Sequence, residues 1–232
     1  MTPPTYGDYD ISRVVNVKEV ADHPVAGDGA TDDTASLQAI LDAAAAGEQL
    51  VYFPHGIYLL SDTLVVPPGS RLVGEAWTQI SATGDKFSDP ANPTPMVKVG
   101  NAGDVGVAQL SDFVFTVADV LPGAVLVEVN MAGEAPGDVG LFNCHYRVGG
   151  AIGSTARSGC QPQDCLAARL CLHLTASSSA YIENSWSWTA DHDLDGAGGT
   201  VYPSTGAGFL IEAKNGTWIL GTGVGKSLPL CS

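Results

Sequence analysis

The sequence predicts an all-β protein, a right-handed parallel β-helix that begins with a capping α-helix. Three observations indicate this fold. One helical pattern near the N-terminus is followed by about a dozen short apolar runs, each bounded by turn residues. The 28 Gly and 14 Pro are spread along the chain rather than gathered in one tract. Only 15% of the residues are charged, against roughly 25% in an average soluble domain.

The predicted helix covers residues 33–46. Thr31 or Asp32 is suited to cap its N-terminus, and Gly47 ends it. Its apolar residues fall on one stripe, so we expect one face of the helix to be buried. They are Leu37, Ile40, Leu41 and Ala44. We expect this helix to cover the first coil of the stack and to shield its strand edges.

After Gly47 the apolar pattern changes to strand-like runs separated by clusters of Gly, Asn, Asp or Ser. In chain order the predicted strands are 50–54, 57–60, 63–66, 71–74, 96–99, 109–117, 124–129, 141–148, 166–175, 180–189, 208–213 and 217–221. No further long helix is predicted. One helix followed by many short strands fits a stack of coils better than a β-sandwich.

The charge balance excludes several classes of partner. Ten basic and 25 acidic residues give a formal net charge of −15. A surface this negative repels phosphate groups, so we expect no nucleic-acid partner and no anionic membrane. The N-terminus lacks a basic start and an apolar segment, so no signal peptide is predicted in the chain as written.

The chain is predicted to contain one folded domain. Residues 1–13 are polar and Pro-rich and are predicted to be a leader or linker, followed by the β-helix over residues 14–224. Residues 225–232 are expected to be an aberrant tail. The stretch 221–227 looks like a phosphate-binding loop, but Leu220 stands where the first Gly is required and no helix pattern follows. Nucleotide binding is therefore not predicted.

Several stretches carry a family resemblance. Asp28–Leu41, Val51–Tyr58 and Leu64–Gly74 resemble the opening of pectate-lyase-like β-helices. A wider set of stretches resembles the second half of fungal glycoside hydrolase family 55, the β-1,3-glucanases. That set comprises residues 6–10, 15–18, 67–77, 103–106, 172–175, 179–181 and 190–196. The resemblance implies a pectate-lyase-like β-helix, a β-1,3-glucan substrate, no cofactor, an extracellular parent enzyme, and a missing first β-helix half that forms the other wall of the glucan cleft.

The resemblance does not extend to the family's catalytic acid. Members continue after the stretch that matches Trp218–Thr222 into a Glu-His-His segment, and a later Glu serves as the general acid. No residue here matches either feature. No catalytic residue is assigned, and we expect the chain to be inactive alone. The alternatives are a non-catalytic carbohydrate-binding or structural β-helix and a pectate-lyase-type enzyme, which the scarcity of basic residues argues against.

The predicted glucan-contacting residues lie in one segment. They are Trp186, Trp188, Asp191, His192, Asp193 and Asp195. Alternation along a strand puts both Trp rings on one side, where they stack on sugar rings or one of them is buried. The Asp residues share a face and bind either sugar hydroxyls or nearby backbone N–H groups. Tyr202 stands where a calcium loop needs Glu, and the His and Cys spacings fit no zinc motif, so no metal site is predicted.

Glu183 and Glu212 are acids embedded in late strands. Glycoside hydrolysis needs two carboxylates about 5 to 9.5 Å apart, a distance that the sequence does not supply, and a structural role is favoured for both acids.

Cys160 and Cys165 flank a short turn and are predicted to form a disulfide, whereas Cys144 and Cys171 are predicted not to pair. The N-glycosylation sequon starts at Asn215.

The last predicted coil lacks a capping element like the helix at the start. A stack of coils buries its core only where another coil or a cap covers it. We therefore expect exposed apolar side chains and unpaired strand edges there, which favour self-association.

Overall fold

The computed structural model of the chain describes residues 3–150, 154, 165–191 and 203–225. These residues form one α-helix, α1 (Thr34–Ala46), and seventeen strands. In chain order the strands are β1 Val14–Asn16, β2 Asp28–Asp32, β3 Leu50–Phe53, β4 Ile57–Leu60, β5 Leu64–Val66, β6 Ser70–Ala82, β7 Thr94–Val99, β8 Ala108–Val117, β9 Leu121–Val129, β10 Val139–Phe142, β11 His145–Val148, β12 Leu166–Leu174, β13 Ala180–Glu183, β14 Trp186–Thr189, β15 Ser204–Ile211, β16 Thr217–Leu220 and β17 Gly223–Gly225. In this part of the chain, no helix is long and apolar enough to cross a membrane.

The strands stack into three faces of a parallel β-helix. Face I contains β1, β3, β10, β13, β16 and the first halves of β6 and β8. Face II contains β2, β4, β11, β14, β17 and the second halves of β6 and β8. Face III is the separate sheet in the order β5, β7, β9, β12, β15. The predicted fold class is confirmed, because each full circuit of the chain adds one parallel strand to each face.

The corner between face I and face II turns within two residues. The corner residue has a left-handed φ in four successive coils, with values of 65° at Asp112, 51° at Asn143, 53° at Asn184 and 60° at Gly221. Asn143 Nδ2 donates to Asp112 Oδ1 at 2.6 Å, and Asn184 Nδ2 donates to Asn143 Oδ1 at 2.8 Å. These bonds between coils offset the cost of a left-handed φ in residues that carry a Cβ.

The corners correct two predicted strands. The run 141–148 is not one strand, because β10 and β11 are separated by the turn at Asn143. The run 180–189 is likewise two strands, β13 and β14, separated at Asn184. Strand β6 also continues through residues 75–82, which the sequence pattern did not predict as a strand.

A column of aromatic rings fills the interior and links four of the coils. It runs through Phe53, Phe113, Phe115, Tyr146 and Phe209, with ring centroids 5.2, 6.0, 5.6 and 5.6 Å apart in that order. The first four rings are fully buried. Aromatic pairs of this kind contribute about 0.5–1.5 kcal/mol beyond the burial of their area. The column therefore stabilises the stacking of coils.

Helix α1 covers the first coil, as predicted. All four residues of the predicted stripe are buried, and Gly47 follows the last helical residue. The side chain of Gln38 bonds to the edge strand β5: its Oε1 accepts from Val65 N at 2.8 Å, and its Nε2 donates to Val65 O at 3.0 Å. Asp32 Oδ1 accepts from Thr34 N at 3.0 Å at the start of the helix. The helix thus shields both the core and a strand edge.

The last coil exposes apolar surface. Strands β15, β16 and β17 each have a strand partner on one side only among the described residues. Six apolar side chains there are between 38% and 50% exposed, namely Leu210, Ile211, Trp218, Ile219, Leu220 and Val224. The expected exposure is present, and self-association stays a prediction.

Part of the predicted leader packs on face I. Tyr6 OH donates to Gln109 Oε1 on β8 at 2.9 Å, and burial raises the pKa of Tyr6. The guanidinium of Arg13 lies over the ring of Tyr9, 5.0 Å from its centroid. The described part of residues 1–13 is therefore in contact with the β-helix.

Candidate functional site

Two indole rings stack on each other on the outer surface of face II. Trp186 and Trp188 are alternate residues of β14, and their rings stack with centroids 5.2 Å apart and planes 10° apart. Ser187 and Thr189, between and after them, are buried on the inner side. Trp186 is half-exposed, with 50% of its surface accessible. The prediction that both rings face one side is correct, and the two rings stack on each other, which leaves part of the Trp186 indole open to solvent.

The neighbouring strand places polar side chains beside the indoles. His145 on β11 is the strand partner of Trp186. His145 Nε2 lies 3.0 Å from Asn143 Oδ1, and because an amide oxygen only accepts, this contact places the ring proton on Nε2. Burial lowers the pKa of His145, although the nearby Asp112 acts in the opposite direction. Burial thus favours the neutral imidazole, and its Nδ1 has no partner among the described residues.

A pocket of about 230 Å³ opens beside this imidazole, at the corner between face I and face II. It is lined by Ala76, Asp112, Phe113, Val114, Asn143 and His145. The carboxylate and the amide are fixed by the hydrogen bonds that join the corners of successive coils. The pocket therefore combines oriented oxygen atoms with an apolar wall beside His145, the strand partner of Trp186, a mixture typical of small-molecule sites.

The acidic segment that follows β14 is described only at its start. Asp191 lies two residues after the end of β14, at the point where the chain leaves face II. His192, Asp193 and Asp195 lie outside the described residues. No group of three or more His, Cys, Asp or Glu within the described ranges is placed to hold a metal ion.

The predicted disulfide is described at one of its two cysteines. Cys165 is disulfide-bonded, and Cys160 lies outside the described residues, so the pairing of the two stays a prediction. Cys144 and Cys171 are buried free thiols, as predicted. Burial raises the pKa of the Cys144 thiol to about 12 and that of the Cys171 thiol to about 11, so both are inert core residues.

Glu183 and Glu212 do not form a carboxylate pair. Glu183 ends β13 on face I, where it accepts a hydrogen bond from Tyr181 OH at 2.8 Å, and this bond raises the pKa of Tyr181. Glu212 follows β15 on face III and contacts His173 instead. The two acids therefore lie on different faces with different partners.

Sequence reasoning missed a cluster on face III. His173 Nδ1 lies 3.0 Å from Glu128 Oε2, and its Nε2 lies 2.8 Å from Glu212 Oε2. A neutral imidazole has one N–H, so both contacts are hydrogen bonds only when the ring carries two protons. The cluster bridges three successive coils. The acids are 45 and 39 positions from the histidine, and only the alternation around His173 in an apolar strand indicated an outward side chain.

The fold and the sequence agree with a known family. A family model described as rhamnogalacturonase A/epimerase, pectate lyase-like, matches residues 14–131, just over half of the chain. The chain belongs to this pectate-lyase-like family. The matched region runs from β1 to the loop after β9, and so includes the capping helix and the first four coils.

Relatives of this pectate-lyase-like chain carry two kinds of name. A glucan endo-1,3-beta-glucosidase of Trichoderma harzianum is 42% identical over 97% of the chain, and a probable glucan endo-1,3-beta-glucosidase of Arthroderma benhamiae is 40% identical over 94%. A non-secreted LysM effector, LysM15, of Penicillium expansum is 44% identical over 94%. The chain spans 31%, 26% and 16% of these three proteins, respectively. The resemblance to the fungal β-1,3-glucanases is confirmed.

Proposed function

We propose that this chain forms a glucan-binding part of a β-1,3-glucan hydrolase and does not itself supply the catalytic carboxylates. The observation that carries the proposal is the stacked pair Trp186 and Trp188 on the outside of face II, where His145, the strand partner of Trp186, lines a pocket at the corner. The relatives named glucan endo-1,3-beta-glucosidases, which match nearly the whole chain, support β-1,3-glucan as the substrate class.

The aromatic surface suits a sugar for a chemical reason. A pyranose ring has apolar faces of C–H groups and a rim of hydroxyls. Trp186 stacks on Trp188 and is still 50% exposed, so its indole offers an open apolar surface to such a face. In the corner pocket, Asp112 accepts from Asn143 through Oδ1, which leaves its Oδ2 as an acceptor for a hydroxyl. Asp191, followed by the predicted residues His192, Asp193 and Asp195, extends the same surface in the proposal.

Charge favours a neutral polysaccharide over a pectate-type substrate. The chain carries a net charge of −15, and the pocket beside His145 contains the carboxylate of Asp112. Uronate polymers are anionic and are repelled by such a surface. A pectate-lyase-type reaction is therefore not part of the proposal.

The proposal assigns hydrolysis to the complete parent protein. Glu183 and Glu212 have separate partners on separate faces, which supports a binding role for this chain and no carboxylate pair between them. In the proposal, a further β-helix half forms the second wall of the cleft, and the general acid comes from residues that do not match this chain. We also propose an extracellular location for the parent, which the disulfide at Cys165 supports.

Fluorine NMR on protein labelled with fluorotryptophan tests the proposal, because substitution of each of the four Trp residues in turn assigns its signal. Laminarihexaose should shift the signals of Trp186 and Trp188 saturably. Trp186→Ala should weaken binding roughly 2- to 12-fold, the equivalent of about 0.5–1.5 kcal/mol of aromatic stacking. Ile11→Ala, an exposed apolar residue elsewhere, is the matched control. Unchanged Trp186 and Trp188 signals would refute the proposal.

The same preparation tests the catalytic part of the proposal. Pure protein should release no reducing sugar from laminarin, because a general acid contributes typically 10²- to 10⁴-fold and no residue is assigned that role. Turnover that disappears in Glu183→Gln or Glu212→Gln would show that these acids act in catalysis after all.

A further inference from the structure

A second concave surface lies on a different corner of the β-helix from the indole pair. The connections from face III to face I are the loops 100–107, 130–138, 175–179 and 212–216, and they stack on one another. They enclose a groove of about 480 Å³, twice the volume of the pocket beside His145. We call it the loop groove. Strand spacing of about 4.8 Å makes four stacked loops extend over about 14 Å, so the site is elongated.

The floor of the loop groove is fixed by hydrogen bonds between loops. Ala132 N donates to Asp104 O at 3.0 Å, and Gly106 N donates to Ala132 O at 3.0 Å. The next loop is joined by the bond from Gly133 N to Ser179 Oγ at 2.9 Å. These contacts preform the groove, so little conformational entropy is lost when a ligand binds.

One end of the loop groove carries an accessible indole. Trp218 lines the groove with 42% of its surface exposed. Its ring lies over Gly216, where a Cβ would come within 2.6 Å of the ring atom Cη2. The glycine therefore allows the ring to lie close to the loop. Val105, on the first of the four loops, is 56% exposed and adds a second apolar contact.

The polar lining consists of hydrogen-bonding groups without a cation. Glu134 is exposed and makes no hydrogen bond to another described residue. The carboxylate of Asp104 accepts from Asn101 N at 2.8 Å, and the amide of Asn215 donates from Nδ2 to Ser177 O at 3.1 Å. None of the thirteen lining residues is Lys, Arg or His. This set repels phosphates and uronates and offers acceptors to hydroxyl groups.

We infer that the loop groove is a second saccharide-binding site, which takes a neutral oligosaccharide with one sugar ring against Trp218. An aromatic face, the exposed carboxylate of Glu134 and an elongated preformed shape together fit a chain of hydroxylated rings better than a small apolar ligand or an anion. The inference does not depend on the proposed function, because the indole pair on face II forms a different site.

The saccharide has two sources, and the test separates them. Asn215, which begins the predicted sequon, lines the loop groove, so an attached glycan would start inside it. The alternative source is a free oligosaccharide. Protein made in bacteria lacks the glycan, so any binding that it shows comes from a free oligosaccharide. Protein secreted from yeast, compared with the Asn215→Gln variant from the same host, shows the effect of an attached glycan.

Fluorine NMR of fluorotryptophan-labelled protein gives the readout. With bacterial protein, laminarihexaose or cellohexaose should shift the Trp218 signal saturably, and an oligogalacturonate of the same length should not. Glu134→Gln, an exposed change that leaves the fold intact, should weaken binding several-fold, while Glu48→Gln, an exposed acid outside the groove, should not. Loss of Trp186 should leave the Trp218 response unchanged.

Each outcome has a defined meaning. A Trp218 shift with a free neutral oligosaccharide supports the inference with a free ligand. A Trp218 signal that differs only in yeast protein, and returns to the bacterial position in Asn215→Gln, supports it with the attached glycan. A Trp218 signal that responds to neither, or equally to the oligogalacturonate, overturns the inference whatever the signals of Trp186 and Trp188 do.

Discussion

The two ends of the stack of coils differ in how their cores are covered. At the start, α1 buries its apolar stripe over the first coil, and Gln38 bonds to the edge of β5. In the last coil, Ile219 is 38% exposed, although its strand partner Ile182 one coil earlier is fully buried. The same inward position thus changes from core to surface within one coil. Burial in this fold is supplied by the neighbouring coil or by a cap.

The largest expected loss of stability comes from a substitution in the helix that covers the first coil. Leu41→Ala removes a fully buried side chain from α1 and should lower the free energy of unfolding by about 2–5 kcal/mol. Leu220→Ala, at a residue 47% exposed in the last coil, should lower it by about 0.5 kcal/mol or less. Urea unfolding followed by circular dichroism measures both. Equal losses would mean that the two ends are covered equally.

Gln38→Ala tests the side chain that closes the edge of face III. It leaves the N–H and C=O of Val65 without their partners, so we expect a loss of about 1–3 kcal/mol and faster hydrogen exchange at the Val65 amide. Gln38→Glu keeps an acceptor for Val65 N but loses the donor to Val65 O. Its second carboxylate oxygen then faces Val65 O and the carboxylate of Asp42, which both accept from Gln38 Nε2 in wild type. We therefore expect Gln38→Glu to lose at least as much stability at pH 7 as Gln38→Ala, and a Gln38→Glu variant as stable as wild type would contradict this account.

The sequence predicts α1 well because its determinants are local. The stripe, the acidic residues before it and Gly47 lie within one short segment, and the structure places the helix within one residue of the expected start. The two-residue corners inside 141–148 and 180–189 were missed for the opposite reason. Asn143 and Asn184 hold a left-handed φ with the help of side-chain bonds to other coils, and no local pattern reports those bonds.

The candidate sites also differ in whether nearby residues or contacts between coils determine them. The alternation of Trp186 and Trp188 is local, so the sequence predicts their common side correctly. The cluster around His173 joins residues of three coils, and the register that brings them together depends on the lengths of the intervening loops. The loop groove likewise combines four loops that are distant in sequence.

Introducing charged residues into the last coil tests whether its exposed apolar surface causes self-association. The exposed apolar residues and open strand edges of β15, β16 and β17 predict self-association of the pure protein. The double variant Leu220→Glu, Val224→Glu should shift the population towards monomer in size-exclusion chromatography with light scattering. Ile11→Glu, at a residue 82% exposed away from the last coil, should not. A wild-type protein that is monomeric at high concentration would contradict the prediction.

The smallest expected effect is a pH dependence at the covered end. Desolvation acts to raise the pKa of Asp32, but hydrogen bonds from Ser61 and Thr34 outweigh it, and the pKa is lowered overall. A carboxyl with a lowered pKa in the folded state stabilises the fold above its unfolded pKa of about 3.9, and this contribution is lost as the pH falls through the folded value. Asp32→Asn should therefore weaken the loss of stability on acidification below about pH 4, measured as the urea midpoint at each pH.

The control is Asp22→Asn, at an exposed aspartate that makes no hydrogen bond to the described residues. Its urea midpoint should fall with acidification as the wild-type midpoint does. If both variants follow the wild-type curve, the hydrogen bonds that Asp32 accepts from the helix start and from Ser61 contribute no pH-dependent stability to the capped end.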